Sequence, residues 1–258
     1  MVNIKTDEEI EKMRKGGKIL AEVLSEVLKN AQPGVSELEL DKFAQELIIK
    51  KGAEPGFKKV PGYKHAICVS TNEVVVHGIP TDYKLKEGDV FGVDCGVYYQ
   101  GFNTDMAETL RVSNQKSKIK NQKYVEVDKF LETGKRALEE GIKQAKAGSR
   151  VGHISKAIQD TVVGAGYSVV ESLVGHGVGK DLHEDPEVPG FLAGNIEDTP
   201  LLKVGMTIAV EVIYSMGKKD VVYKGHDQWT IKTEDNSLSG LYERTIVITK
   251  QGPVVLTN

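Results

Sequence analysis

Cysteine is nearly absent: Cys68 and Cys95 are the only two in 258 residues. Both stand in strand-like surroundings, which speaks against a disulfide scaffold and for a reducing compartment. A strong net charge is lacking too, and a formal −3 gives no overall drive toward nucleic acid or anionic membrane. No apolar run approaches the length that spans a bilayer. Residues 1–17 are dense in charge and carry no apolar core of a signal peptide. No low-complexity stretch and no linker rich in Pro, Gly or Ser marks a domain boundary. What remains is an ordinary globular composition, with 40% hydrophobic and 28% charged residues. The length suits a single domain over 1–258, expected in the cytoplasm.

What is present is organised around residues 90–105. This stretch reads as two strands joined by a tight turn at Gln100-Gly101, each apolar but for one carboxylate, Asp94 and Asp105. Across a two-residue loop, side chains an odd number of positions apart share a face. The two acids, eleven apart, therefore lie diagonally on one face. Like charges so placed are destabilising unless something positive lies between them. A carboxylate inside an apolar strand is also costly without a partner. A divalent cation answers both problems; two solvated acids on an exposed sheet face is the alternative.

Upstream, Thr6 and Glu9 form a capping box for a helix whose apolar residues run from Ile10 to Leu28. Ser36 caps a second helix that ends at Gly52. Strands follow over 66–70 and 74–77, then the hairpin. Helical periodicity resumes over 124–146 and 151–163. The last third is β-rich, with strands over 206–214 and 244–249 and a short one over 253–256. Two helices before the first strands and two before the last suggest two related halves. The expected class is α+β with the sheet in the middle.

Glu211 and Glu243 repeat the hairpin's theme, each a lone acid in an apolar run. One such acid is ordinarily solvated. If several converge, a pair of divalent cations is their natural neutraliser, since an unpaired buried charge costs several kcal/mol. The glycine-rich run 175–183 contains His176 and His183 and reads as a loop or irregular strand. Its spacing excludes the one-turn zincin pattern on a helix. It also lacks the strand–turn–helix setting of a dinucleotide fingerprint. His77 is a further candidate, whereas His65, His153 and His226 stand in polar or helical surroundings and read as ordinary.

Together, the 72–80 run Asn-Glu-Val-Val-Val-His-Gly-Ile-Pro, Asp94 and Asp105, Gly175-His176-Gly177-Val178-Gly179 with His183, Glu211, and Trp229-Thr230 ahead of Tyr242-Glu243 resemble type I methionine aminopeptidases, in their short bacterial form. The resemblance covers nearly the whole chain. It implies the pita-bread fold: a central curved antiparallel sheet flanked by helices, in pseudo-twofold halves. It implies two divalent metal ions (Mn, Fe, Co or Zn) held by Asp94, Asp105, His176, Glu211 and Glu243. Asp105 and Glu243 would bridge, His176 and Glu211 would complete one ion, and Asp94 the other. Metal-bridged hydroxide would attack the first peptide bond, with Glu211 relaying the proton. His77 and His183 would contact substrate, and Tyr63, Cys68 and Trp229 would line the methionine pocket. Trp229 could equally be a packing residue. The implied partner is the N-terminal methionine of nascent peptides, with small second residues favoured. Neither membrane nor DNA is expected as a partner, and the chain is expected to be a monomer.

The chain departs from that pattern at several positions. Leu182 stands where many relatives carry an aromatic, Gly96 where a hydroxyl residue is frequent, Met106 where Thr is usual and Val212 where Pro is common. Leu241-Tyr242-Glu243-Arg244 replaces the usual Gln and His neighbours of that glutamate. No ligand is removed, so these changes bear on affinity, rate and residue preference. Lys116, Lys118, Lys120 and Lys123 form a basic cluster whose bland reading is a solvated loop. Its sharper reading is transient contact with ribosomal RNA. Competing functions are an Xaa-Pro aminopeptidase or creatinase-like enzyme, and a pita-bread binding module without catalysis.

Overall fold

The computed structural model describes residues 2–113, 124–225 and 227–258. The predicted Thr6–Glu9 capping box forms, and Ser36, expected as a cap, makes a second box with Glu39. Thr6 Oγ1 accepts from the Glu9 amide at 3.3 Å and Glu9 Oε2 accepts from the Thr6 amide at 2.9 Å. Ser36 and Glu39 repeat the exchange. These start α1 (Asp7–Asn30) and α2 (Glu37–Lys50). Helices α3 (Val125–Gln144) and α4 (Val151–Gly164) lie where the apolar periodicity placed them.

The strands of the first half are β1 (Glu54–Pro55), β2 (Ile67–Thr71), β3 (Val74–Val76), β4 (Val90–Tyr99) and β5 (Phe102–Arg111). Those of the second are β6 (Ser168–Val169), β7 (Val174–Gly177), β8 (Glu184–Pro189), β9 (Thr207–Ser215), β10 (Val221–Tyr223), β11 (Ile231–Thr233), β12 (Ser239–Thr249) and β13 (Gly252–Val255). The main sheet runs β1-β4-β5-β12-β9-β7-β8, all antiparallel, with β2 beside β4, β6 beside β9 and β13 beside β12. A small sheet, β10-β11-β3, stands apart. The glycine-rich run is an irregular strand, its pairing with β8 shifting register between Gly175 and Gly177. β12 begins at Ser239, earlier than the apolar run 244–249 suggested, because continuous pairing with β9 extends it over Tyr242 and Glu243.

One face of the sheet carries the helices. Val93 and Cys95 of β4 and Met106 of β5 share an apolar core with α1 and α2. Val210 and Val212 of β9 and Tyr242 and Ile246 of β12 share another with α3 and α4. The two halves, each a helix pair on a strand pair, meet at the β5–β12 seam, as the helix order anticipated. Residues of alternate parity on the same strands point to the opposite face. No described helix is long and apolar enough to cross a membrane.

Candidate metal centre

The hairpin turns at Gln100 (φ +48°) and Gly101 (φ +93°), and its register places Asp94 opposite Ala107 and Gly96 opposite Asp105. The two aspartates thus share a face diagonally, as parity requires. Ala107 is also opposite Glu243, and Glu243 is opposite Glu211. Cys68, Asp94, Ala107, Glu243 and Glu211 therefore form one row across β2, β4, β5, β12 and β9. In the adjacent row Ala209 faces both Thr245 and His176, and Thr245 Oγ1 binds both the amide and the carbonyl of Asp105 at 2.8 Å. Ala107, between Asp94 and Glu243 in this row, is itself fully buried.

Four acids and an imidazole thus converge on the face away from the helices. Asp105 and Glu243 are 3% exposed each, and among the described residues neither has a cationic side chain bonded to its carboxylate. Asp105, His176 and Glu243 each offer a ligand atom within 4.8 Å of the others. Burial pushes all four carboxylic acids up: Asp105 to about 7 and Glu211, also repelled by Asp94, to about 8. Asp94 and Glu243 rise well above the usual carboxylate range, through burial and then the charge of Asp105. Burial and the neighbouring His183 hold His176 down, at about 4. His176 Nδ1 lies 2.8 Å from the Gly177 carbonyl, so the Nδ1–H donates there and Nε2 keeps its lone pair for the cluster. Among the described residues, Asp94 Oδ1 and Glu243 Oε1 are buried with no hydrogen-bond partner. Hard oxygen donors with one imidazole, left unsatisfied by the protein, fit divalent cations.

The cluster lies in a cavity of about 670 Å3 that His77, His183, Tyr63, Cys68 and Trp229 also line. The candidate ligand, catalytic and pocket residues named from the sequence therefore line one cavity. Tyr63 donates to the Ile67 carbonyl at 2.9 Å and packs edge-on against Trp229 (5.2 Å between centroids) and Phe57 (6.4 Å). Trp229 is half-buried, so it both packs and faces the cavity. His77 adopts φ +56°, and the next residue is pinned: a Cβ on Gly78 would lie 1.9 Å from the Val69 carbonyl oxygen. His183 stacks edge-on against His176 at 4.4 Å.

The departures sort by face. Met106 and Val212 point into the helix-side cores, away from the cluster. Leu182 lines the cavity and packs in the apolar wall with Trp229. At Gly96, the place a hydroxyl side chain would take is already filled. A Cβ there would sit 2.7 Å from Phe57 Cε1, so the ring of the pocket wall fills the space.

Sequence reading missed Lys5, which is buried in an ion pair with Glu184 at 2.5 Å. Glu184 also accepts from the Asp181 amide at 3.3 Å, which ties the loop bearing His183 to the N-terminal segment. A lysine in a charged N-terminal stretch gives no local signal of burial. His65 pairs with Asp41 at 2.8 Å and His153 accepts from the Arg150 amide at 3.1 Å, both ordinary as expected. His226 and the lysines of 116–123 lie outside the described residues.

Residues 11–250 match the profile of metallopeptidase family M24. The chain belongs to this family. It is 40% identical over 257 residues to a methionine aminopeptidase of Clostridium perfringens, covering 100% of this chain and 99% of that one. The crystal structure of a methionine aminopeptidase from Thermotoga maritima is 41% identical, superposes with a TM-score of 0.92 and covers both chains fully. A prolidase from Pyrococcus furiosus, 23% identical with a TM-score of 0.77, shares the fold over 65% of its own length. The pita-bread fold of this M24 chain is thus shared more widely than any one activity.

Proposed function

We propose that the chain removes the N-terminal methionine from peptides and proteins in a metal-dependent hydrolysis. The observation that carries this reading is the convergence of Asp94, Asp105, His176, Glu211 and Glu243 beside an apolar wall of Tyr63, Cys68 and Trp229. The five would hold two divalent ions (Mn, Fe, Co or Zn). When bound, such ions supply a Lewis acid and an activated water near neutral pH. Glu211 carries the proton at its carboxylate from the attacking water to the leaving amine. His183 hydrogen-bonds the substrate beside the scissile bond, and His77 contacts the amide nitrogen or leaving group. Cys68 and the rings of Tyr63 and Trp229 receive the thioether, a soft group that packs well on such surfaces. The free α-amine of the substrate would also be received by the ions, which restricts the reaction to chain ends. Small second residues are favoured.

The finer setting we infer is the cytoplasm, with the chain acting as a monomer on nascent chains. The unpaired buried thiols of Cys68 and Cys95 suit a reducing compartment. The test of activity is release of methionine from Met-Ala-Ser and of alanine from an Ala-Pro peptide, with metal returned to chelated protein. Methionine release alone is expected. Cleavage of Ala-Pro only would assign the chain to the Xaa-Pro peptidases, and cleavage of neither would leave a binding module.

Gly78→Ala probes how His77 is held. The added methyl has no room against the Val69 carbonyl, so a loss of about 3 kcal/mol in stability is expected. The displaced imidazole should lower kcat/KM by about a hundredfold, with metal binding retained. Wild-type kinetics in the folded variant would remove His77 from the reaction.

A further inference from the structure

The seam between the two halves is not an ordinary ladder. β4 and β5 pair along their whole length, as do β12 and β9 from Ser239 to Val247. β5 and β12, by contrast, pair only at Ala107 with Glu243 and Met106 with Arg244. Side chains stand in for the backbone on either side. Thr245 Oγ1 accepts from the Asp105 amide and donates to the Asp105 carbonyl, both at 2.8 Å. Thr109 Oγ1 does the same for Leu241, at 3.0 and 2.7 Å. Between them, on the helix side of the sheet, Arg244 Nη1 donates to the Ala107 carbonyl at 3.0 Å and the Glu243 carbonyl at 2.7 Å. Its Nη2 donates to Glu108 Oε2 at 2.6 Å, and Glu108 Oε1 lies 3.4 Å from Lys135 Nζ of α3.

We propose that Arg244, anchored by Glu108, is a positioning residue that sets the gap between the strands bearing Asp105 and Glu243, and with it the affinity of the metal centre. The inference rests on reading the five-residue cluster as that centre. Neighbouring strands joined by a full ladder lie about 4.8 Å apart. Threonine bridges and a guanidinium replace the ladder across this seam and govern how far apart the two carboxylates stand. The guanidinium suits the task because its rigid fork addresses two carbonyls with one nitrogen and a carboxylate with another, from behind the site. It touches no reacting atom, so its action is on geometry.

The experiment is a Co2+ titration of the chelated full-length protein, followed by the visible absorption of the bound ion, in wild type, Arg244→Gln, Glu108→Gln and the double variant. Arg244→Gln is expected to bind Co2+ about tenfold to a hundredfold more weakly with an altered band intensity. Glu108→Gln is expected to lose less, and the double variant no more than Arg244→Gln, because Glu108 acts through the guanidinium. Unchanged affinity and spectrum in Arg244→Gln would overturn the proposal, as would independent, additive losses. If Arg244→Gln does not fold, wild-type binding in Glu108→Gln overturns it instead. Glu243→Gln serves as control: its binding Co2+ like wild type would sink the metal-centre reading itself, whereas its loss alongside an unaffected Arg244→Gln would sink only the role of Arg244.

Discussion

Glu243→Gln is expected to lower kcat/KM for Met-Ala-Ser by about a thousandfold or more, while leaving the metal-free protein at least as stable as wild type. The two halves of this prediction have one cause. Glu243 is buried directly opposite Glu211, and Glu243 Oε1 has no hydrogen-bond partner. Ionising Glu243 there is costly, because it is buried and faces other acids. An isosteric amide removes that cost but also gives up the negative charge that would hold a divalent cation. Activity and thermal melting of the chelated variant should therefore move in opposite directions, or melting should not move at all. A variant that loses activity and also melts well below wild type would show that Glu243 supports the fold, and the assignment to metal binding would fall.

Chelated wild-type protein is expected to lose several kcal/mol of stability as pH rises from about 5 to about 8, and excess divalent metal to restore it. Asp105 titrates near 7 when folded against 3.8 as a free side chain, and Glu211 near 8 against 4.5. Between those values the folded chain keeps protons that the unfolded chain has released. The stabilisation is complete below the unfolded values and disappears as pH climbs through the folded ones. Metal at about a thousand times its dissociation constant adds about 4 kcal/mol. For a domain of this size the expected rise in Tm at pH 8 is roughly 10 °C. Melting curves with and without Mn2+ at pH 5.5, 6.5 and 8 test this. A metal-free Tm that stays level across that range, and does not respond to the ion, would mean the four acids do not share one buried field.

The sequence by itself determined the local elements and the parity of the acids. Thr6 with Glu9 and Ser36 with Glu39 start helices through contacts within a single turn, so their chemistry is readable from neighbours. Asp94 and Asp105 share a face because a two-residue turn fixes hairpin register. The remaining ligands were legible through the resemblance of their motifs, not through any local signal that they would meet. Tertiary structure alone decided that Glu211 stands opposite Glu243 and that Ala107 falls between Asp94 and Glu243. It also decided that Phe57 fills the place of a side chain at Gly96 and that Arg244 closes the seam from behind. Register between strands more than a hundred residues apart follows from which apolar faces pack on which helices, a property of the assembled cores that no window of sequence contains.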